Sequence, residues 1–243
     1  FDPESRNPYS SISEEDICRP EHRRLSNEAA KKSVVLLKNE DRILPLNRDD
    51  INSIAVIGPL GDVVYTDWYS GTLPYRITPF EGISRKLGNK AVTFTEGCDC
   101  IALKSLDNDR YISIRGDDDN VLRAESSKVG VNELFDVTDW GWGSFTLKSH
   151  VNGKFVNGGE SLTASKEKVR SWFIDESFNM LSKGDDIYII KMWNDKYVAV
   201  CEEDGTLSGV KNEEDASRFK VEFLSGGIEE AVVSAKGADV SIV

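Results

Sequence analysis

The sequence predicts an α/β parallel-sheet sandwich domain, discontinuous and incomplete, interrupted by an all-β β-trefoil. Three observations carry this. The apolar run Ile54-Ala55-Val56-Ile57, rich in β-branched residues and stopped by Gly58-Pro59, has the texture of a central parallel strand covered on both faces. Around it, strand and helix patterns follow in the order β-α-β-α-β, which implies a parallel sheet with helical cover. Between the second strand and the last helix, one pattern of short strands recurs three times.

Taken in order, residues 1–18 hold Pro3 and Pro8 among polar residues and read as a linker. Pro20 and Glu21 open a helix. Its apolar face is Leu25, Ala29, Ala30, Ser33 and Val34, with Arg23, Arg24, Lys31 and Lys32 outward. Val34-Val35-Leu36-Leu37-Lys38-Asn39 reads as the helix end, followed by Leu44-Pro45-Leu46 and the strand at 54–57. The loop Asp67-Trp68-Tyr69-Ser70-Gly71 lies beyond that strand, where ligands sit in open α/β sheets. Thr78-Pro79 leads into a short helix with Phe80, Ile83 and Leu87 apolar, stopped by Gly88; Ala91-Val92-Thr93-Phe94 is the next strand. A helix at 228–235 precedes a final core strand at 240–243. A chain ending in a core strand is expected to be a piece of a longer protein, so targeting is not judged from its ends.

The repeats are marked by Lys104, Lys148 and Lys191, spaced 44 and 43 residues apart. Each lysine is the last but one residue of its strand motif, which precedes a turn and an aromatic: Asn108-Asp109-Arg110-Tyr111, Asn152-Gly153-Lys154-Phe155 and Asn194-Asp195-Lys196-Tyr197. A second motif follows at Leu122, Leu162 and Leu207, then an aromatic strand at Phe135, Phe173 and Phe219. Three blades do not close a propeller, whereas three four-stranded units around a pseudo-threefold axis make a trefoil. Tyr111, Phe155 and Tyr197 are expected to fill equivalent core positions. The trefoil is assigned 101–224, leaving the α/β domain at 1–100 and 225–243. Such an insert is tolerated because a folded body with adjacent termini hardly strains its host.

The formal charge is −12 and the isoelectric point about 4.8, with no long basic cluster, so nucleic acid and anionic membrane are not expected partners. No apolar run approaches the roughly 18 residues of a membrane span. Cys98-x-Cys100 is too tight for an ordinary disulfide and lacks the second pair of a zinc site. Cys18, Cys98, Cys100 and Cys201 are therefore expected to be free thiols in a reducing, cytoplasmic setting.

The stretches Ser33-Val34-Val35-Leu36-Leu37-Lys38-Asn39, Leu44-Pro45-Leu46, Ile54-Ala55-Val56-Ile57-Gly58-Pro59, Tyr69-Ser70-Gly71 and Thr78-Pro79-Phe80-Glu81-Gly82-Ile83 resemble the C-terminal α/β sandwich domain of glycoside hydrolase family 3. Phe1-Asp2-Pro3 resembles that family's exit from its preceding (β/α)₈ barrel, and Ala238-Asp239-Val240 a later strand. The insert resembles fascin-like trefoils and has no Gln-x-Trp triplets of the ricin type. The resemblance implies a retaining enzyme removing β-glucosyl, β-xylosyl or α-arabinosyl units. Such an enzyme needs two carboxyl groups about 5 Å apart. It places the nucleophile Asp on the barrel before residue 1 and the acid/base Glu after residue 243, so this chain alone is expected to be inactive. Its partners are then an oligosaccharide or polysaccharide and the barrel of the same protein; no cofactor is implied.

Asp67, Trp68, Tyr69 and Ser70 are the candidate substrate-binding residues, two aromatic faces and two hydroxyl partners for a sugar. An inter-domain packing patch is the other reading of the same loop. Trp140 and Trp142, within Asp139-Trp140-Gly141-Trp142-Gly143, are either an exposed carbohydrate platform or a cap folded onto the trefoil. Trp172 and Trp193 read as structural. His22 and His150 fall in different domains, which argues against a histidine triad or a His-rich metal site. Asp117-Asp118-Asp119 lacks the glycine and distal Glu of a calcium loop, and Gly58-Pro59-Leu60-Gly61 lacks the three-glycine dinucleotide fingerprint. A non-catalytic glycan- or protein-binding module built on the trefoil is the alternative function.

Overall fold

In the computed structural model, residues 3, 6–66, 69–116, 120–169 and 175–243 are described. They fall into two compact units: residues up to 51 with 69–77, and 52–66 with 78–243.

The first unit is built on helix α1 (Pro20–Ser33). Proline at the first helical position, Glu21 in the first turn and Lys31 and Lys32 in the last match the helix dipole. The expected inward face is not covered: no residue of α1 is buried. The helix also stops earlier than its apolar pattern predicts, because Val34 already has an extended backbone. Paired β-branched Val34 and Val35 disfavour another helical turn, and Val34 to Leu37 stay exposed. Asn39 closes the following turn by donating to the Leu44 carbonyl (2.8 Å) and accepting from the Leu44 amide (2.9 Å). The Arg23 guanidinium stacks 5.1 Å over the Tyr75 ring.

The second unit contains a three-stranded parallel sheet. β1 (Ser53–Ile57) is central, between β2 (Ala91–Thr95) and β15 (Val240–Ile242). Ile54, Ala55 and Val56 are buried, as the apolar run predicts. β15 is an edge, and Ser241 and Ile242 are exposed, so the expected core strand has no outer neighbour among the described residues. The parallel α/β portion is therefore a small sheet rather than a full sandwich. Helix α2 (Pro79–Leu87) starts in a capping box, Thr78 accepting from the Glu81 amide (3.1 Å) and Glu81 from the Thr78 amide (3.3 Å). Gly61 crosses the sheet closely: a Cβ there would lie 2.7 Å from the Phe94 ring and 2.9 Å from Val56. That packing role explains its glycine without a bound nucleotide.

The all-β body closes on itself. Its wall runs β3 (Asp99–Ser105), β6 (Phe135–Asp139), β7 (Phe145–Ser149), β10 (Phe178–Gly184), β11 (Ile187–Met192) and β14 (Phe219–Ser225), with β14 pairing back to β3. Three hairpins, β4 (Arg110–Ser113) with β5 (Arg123–Ser126), β8 (Phe155–Asn157) with β9 (Thr163–Lys166), and β12 (Tyr197–Val200) with β13 (Leu207–Val210), cap the barrel. Six barrel strands and three hairpins are a β-trefoil. Its axis is closed by a ring of backbone bonds: Leu122 N to Leu162 O (3.0 Å), Leu162 N to Leu207 O (2.9 Å) and Leu207 N to Leu122 O (3.1 Å). All three leucines are buried.

Each repeat's turn is made the same way. Asn108, Asn152 and Asn194 accept through Oδ1 from the amide two residues on (3.1, 3.0 and 3.2 Å). Between them Asp109, Gly153 and Asp195 take left-handed φ of 56°, 65° and 62°. The expected core aromatics need correction. Tyr111, Phe155 and Tyr197 are equivalent but half-buried, each under its repeat's lysine at 5.4–5.8 Å. Strand alternation sends the next residue, Ile112, Val156 or Val198, into the core instead. The central aromatics are Phe135, Phe178 and Phe219; Phe173 and Trp172 lie outside the described residues.

The chain enters and leaves the trefoil at one point. Helix α3 (Gly227–Lys236) begins where Gly227 N donates to Asp99 Oδ1 (2.9 Å), and a Cβ on Gly227 would overlap the Gly97 carbonyl. α3 then packs against β1, β2 and β3. Among the described residues, no helix is long and apolar enough to cross a membrane.

Candidate functional site

The loop leaving β1 is shaped by its turns. Gly58 has φ of 115°, its carbonyl accepts from Gly61 N (3.0 Å), and Asp62 Oδ1 accepts from the Thr78 hydroxyl (2.6 Å). Farther along, Lys168 Nζ from the trefoil's second repeat donates to Thr66 Oγ1 (2.7 Å), immediately before the candidate sugar-binding residues. Tyr65 sits near Glu96, and burial, then that carboxylate, push its hydroxyl above the usual tyrosine range. Asp67 and Trp68 lie outside the described residues. Tyr69 is 96% exposed and Ser70 is exposed, in the compact unit that also holds α1.

The turn carrying Trp140 and Trp142 faces outward. Gly141, Trp142 and Gly143 take consecutive φ of 80°, 55° and 76°, which is why glycines flank the indole. Asp139 Oδ1 accepts from Gly141 N (2.8 Å), and Asn179 braces the far side by donating to the Gly143 carbonyl (2.8 Å). Trp140 donates through Nε1 to Thr146 Oγ1 (3.0 Å) and is part-covered, whereas Trp142 is 98% exposed. Folding both rings inward as a cap does not occur. Trp193, read as structural, is half exposed.

The barrel mouth next to α3 holds a cavity of about 320 Å³, with Asp99, Asp139, Phe145, Tyr188, Phe223 and Ile228 on its walls. On the outer wall beside it, Lys148 pairs with Glu96 of the loop joining β2 to β3. In the other repeats the corresponding lysines bond the turn residue itself, Lys104 to Asp109 and Lys191 to Asp195, both at 2.6 Å. Gly153 offers no carboxylate, so Lys148 turns to the host loop.

A cluster that the spacing arguments missed joins Cys100, Asp136 and His150. Cys100 and Asp136 are register partners on β3 and β6, and His150 follows β7. His150 Nε2 lies 2.6 Å from Asp136 Oδ1 and 3.9 Å from Cys100 Sγ. Both contacts use one ring nitrogen, so the three do not form a nucleophile–base–orienter relay, which needs both. Burial, followed by the Asp136 and Glu230 charges, pushes the Cys100 thiol up, away from a thiolate nucleophile. Strand pairing assembles the cluster: Cys100 and Asp136 face each other across β3 and β6, and His150 lies just past the end of β7, which pairs with β6. Counting histidines per domain does not reveal it. All four cysteines are free.

Comparison with known proteins adds the following. The glycosyl hydrolase family 3 C-terminal domain model matches residues 34–243. "Probable beta-D-xylosidase 7" of Arabidopsis thaliana is 33% identical over 117 residues, 47% of this chain and 15% of the relative. "Probable beta-glucosidase I" of Aspergillus terreus is 44% identical over 87 residues, 35% of this chain and 10% of the relative. The chain thus covers only a small part of the relatives it matches. Among solved structures, a designed threefold symmetric protein, ThreeFoil, aligns with 51% of this chain and 99% of its own, at 15% identity and a TM-score of 0.44.

Proposed function

Because the chain belongs to glycoside hydrolase family 3 through its C-terminal domain, we propose that it supplies one wall of the sugar pocket in a retaining β-xylosidase- or β-glucosidase-like enzyme. The observation that supports this reading is an order along the chain: residues 67–70 follow the central parallel strand β1 in sequence, and Tyr69 and Ser70 are exposed. An aromatic face covers the apolar face of a pyranose, and Asp67 and Ser70 bond its hydroxyls. The substrate class comes from the names of the relatives, which are xylosidases and glucosidases. The nucleophile Asp and acid/base Glu belong, in this proposal, to parts of the enzyme outside these residues, and the chain alone is inactive.

The test uses aryl glycosides. In the complete enzyme, Trp68→Ala and Tyr69→Ala raise KM for aryl xyloside or glucoside with an unchanged melting temperature. Loss of thermal stability with unchanged KM assigns the loop to packing instead. Turnover by this chain alone, abolished by changing one of its own carboxylates, refutes the division of labour.

Trp142 favours a second role. A 98% exposed indole on a braced turn is a surface for stacking on a polysaccharide. Trp142→Ala then abolishes retardation in xylan or glucan affinity electrophoresis; retardation equal to the unaltered chain rules this out.

A further inference from the structure

We propose that Cys100, Asp136 and His150 form a zinc-binding site on the outer wall of the trefoil, at its junction with α3. Cys100 and Asp136 come from paired strands, where alternation places them on the face opposite the core residues Ile101 and Phe135, and His150 lies just past the end of β7, the strand that pairs with β6. Their donor atoms all lie within 4.8 Å of one another. Sulfur, imidazole nitrogen and a single carboxylate oxygen are the mixture that zinc takes, and too soft a set for magnesium or calcium.

The fit is close. Zinc bonds of about 2.0–2.3 Å put tetrahedral donors roughly 3.2–3.8 Å apart. The Cys100–His150 separation of 3.9 Å is nearly that already. Asp136 and His150, at 2.6 Å, must part by less than about 1 Å. Their side chains are 29% and 32% exposed, so a rotation of either achieves it. The convergence of two contacts on one His150 nitrogen, which defeats a proton relay, is what a shared cation requires. Three protein ligands leave one position for water. On binding, the Cys100 thiol releases its proton to solvent and a sulfur–zinc bond forms; zinc stays divalent and nothing is oxidised. The ion would tie the first two repeats together where the chain enters the trefoil.

Titration of the 243-residue chain with Zn²⁺ against a chromophoric chelator tests this, with Co²⁺ as spectroscopic probe. The expected result is one ion per chain and a thiolate-to-cobalt charge-transfer band, lost in Cys100→Ser and retained in Cys98→Ala. His150→Gln and Asp136→Asn, at part-exposed positions, weaken zinc about 100-fold, at least the loss seen for supporting residues around metal sites. Near-UV circular dichroism checks folding, and if Cys100→Ser does not fold, His150→Gln decides. Absence of saturable uptake overturns the proposal. So does uptake indifferent to His150→Gln, or a charge-transfer band that follows Cys98, leaving only a His150–Asp136 hydrogen bond.

Discussion

Replacing Gly227 with alanine tests how the trefoil is joined to its host. At an ordinary helical position this change gains about 0.4–1 kcal/mol by restricting the unfolded chain. Here the new methyl overlaps the Gly97 carbonyl and lies 2.5 Å from the carbonyl carbon of Cys98. These are main-chain atoms and cannot rotate aside. Overpacking of this kind costs about 1–3 kcal/mol, and rigid backbone neighbours place it at the upper end. The net expectation is a loss of about 2 kcal/mol, or roughly 4–8 °C in melting temperature for a domain of this size. Gly237→Ala, at the other end of α3, is the control. A Cβ there meets Val233 O at 3.5 Å and Ser234 O at 3.6 Å, ordinary contact, so it leaves stability within about 0.5 kcal/mol. Urea unfolding followed by tryptophan fluorescence measures both. A Gly227→Ala chain as stable as Gly237→Ala refutes the reasoning.

Phe178→Ala removes a ring that is 1% exposed at the trefoil centre and costs about 3–5 kcal/mol, read by the same unfolding curves. A double-mutant cycle on Lys148→Met and Glu96→Gln yields a coupling of about 1 kcal/mol, the upper end for surface pairs, because both side chains are about three-quarters covered. The cycle on Lys104 and Asp109, where the carboxylate is 84% exposed, gives a smaller coupling. Glu176 is buried, its Oε2 has no partner among the described residues, and burial raises its carboxyl above the usual range. A raised carboxyl binds protons more tightly folded than unfolded, so stability falls as pH rises from the ordinary value, about 4.3, to the folded one. Glu176→Gln is therefore more stable at pH 7 and flattens that slope; a variant less stable at pH 7 contradicts the assignment.

The trefoil was legible because its turns are written in the sequence. An asparagine, a residue with left-handed backbone and, two residues after it, an aromatic recur in the same order three or four residues after a lysine, and each has a local physical reason. Which member of a strand faces inward was not legible from type alone. Tyr111, Phe155 and Tyr197 are the larger residues, yet register gives the core to the smaller Ile112, Val156 and Val198. The strand at 54–57 and the short helix opened by Thr78-Pro79 were readable from patterns spanning a few residues. The helix at Pro20–Ser33 was readable too, but the cover for its apolar face was not, since burial depends on what packs against it. Cys100, Asp136 and His150 were hidden for a related reason: strand pairing, not spacing along the chain, brings them together. Trp142 defeated the rule that tryptophan is buried, and the signal was its flanking glycines, which hold an indole out of the strand.

The mutual bonding of Leu122, Leu162 and Leu207 sets how this body comes apart. In a linear stack of repeats the outermost unit frays first, and the rest stays folded. A circle offers no outermost unit. Losing any lobe opens two of the three links at once and exposes the shared centre, so the three copies rise and fall together, and a version with two of them would have no stable form of its own.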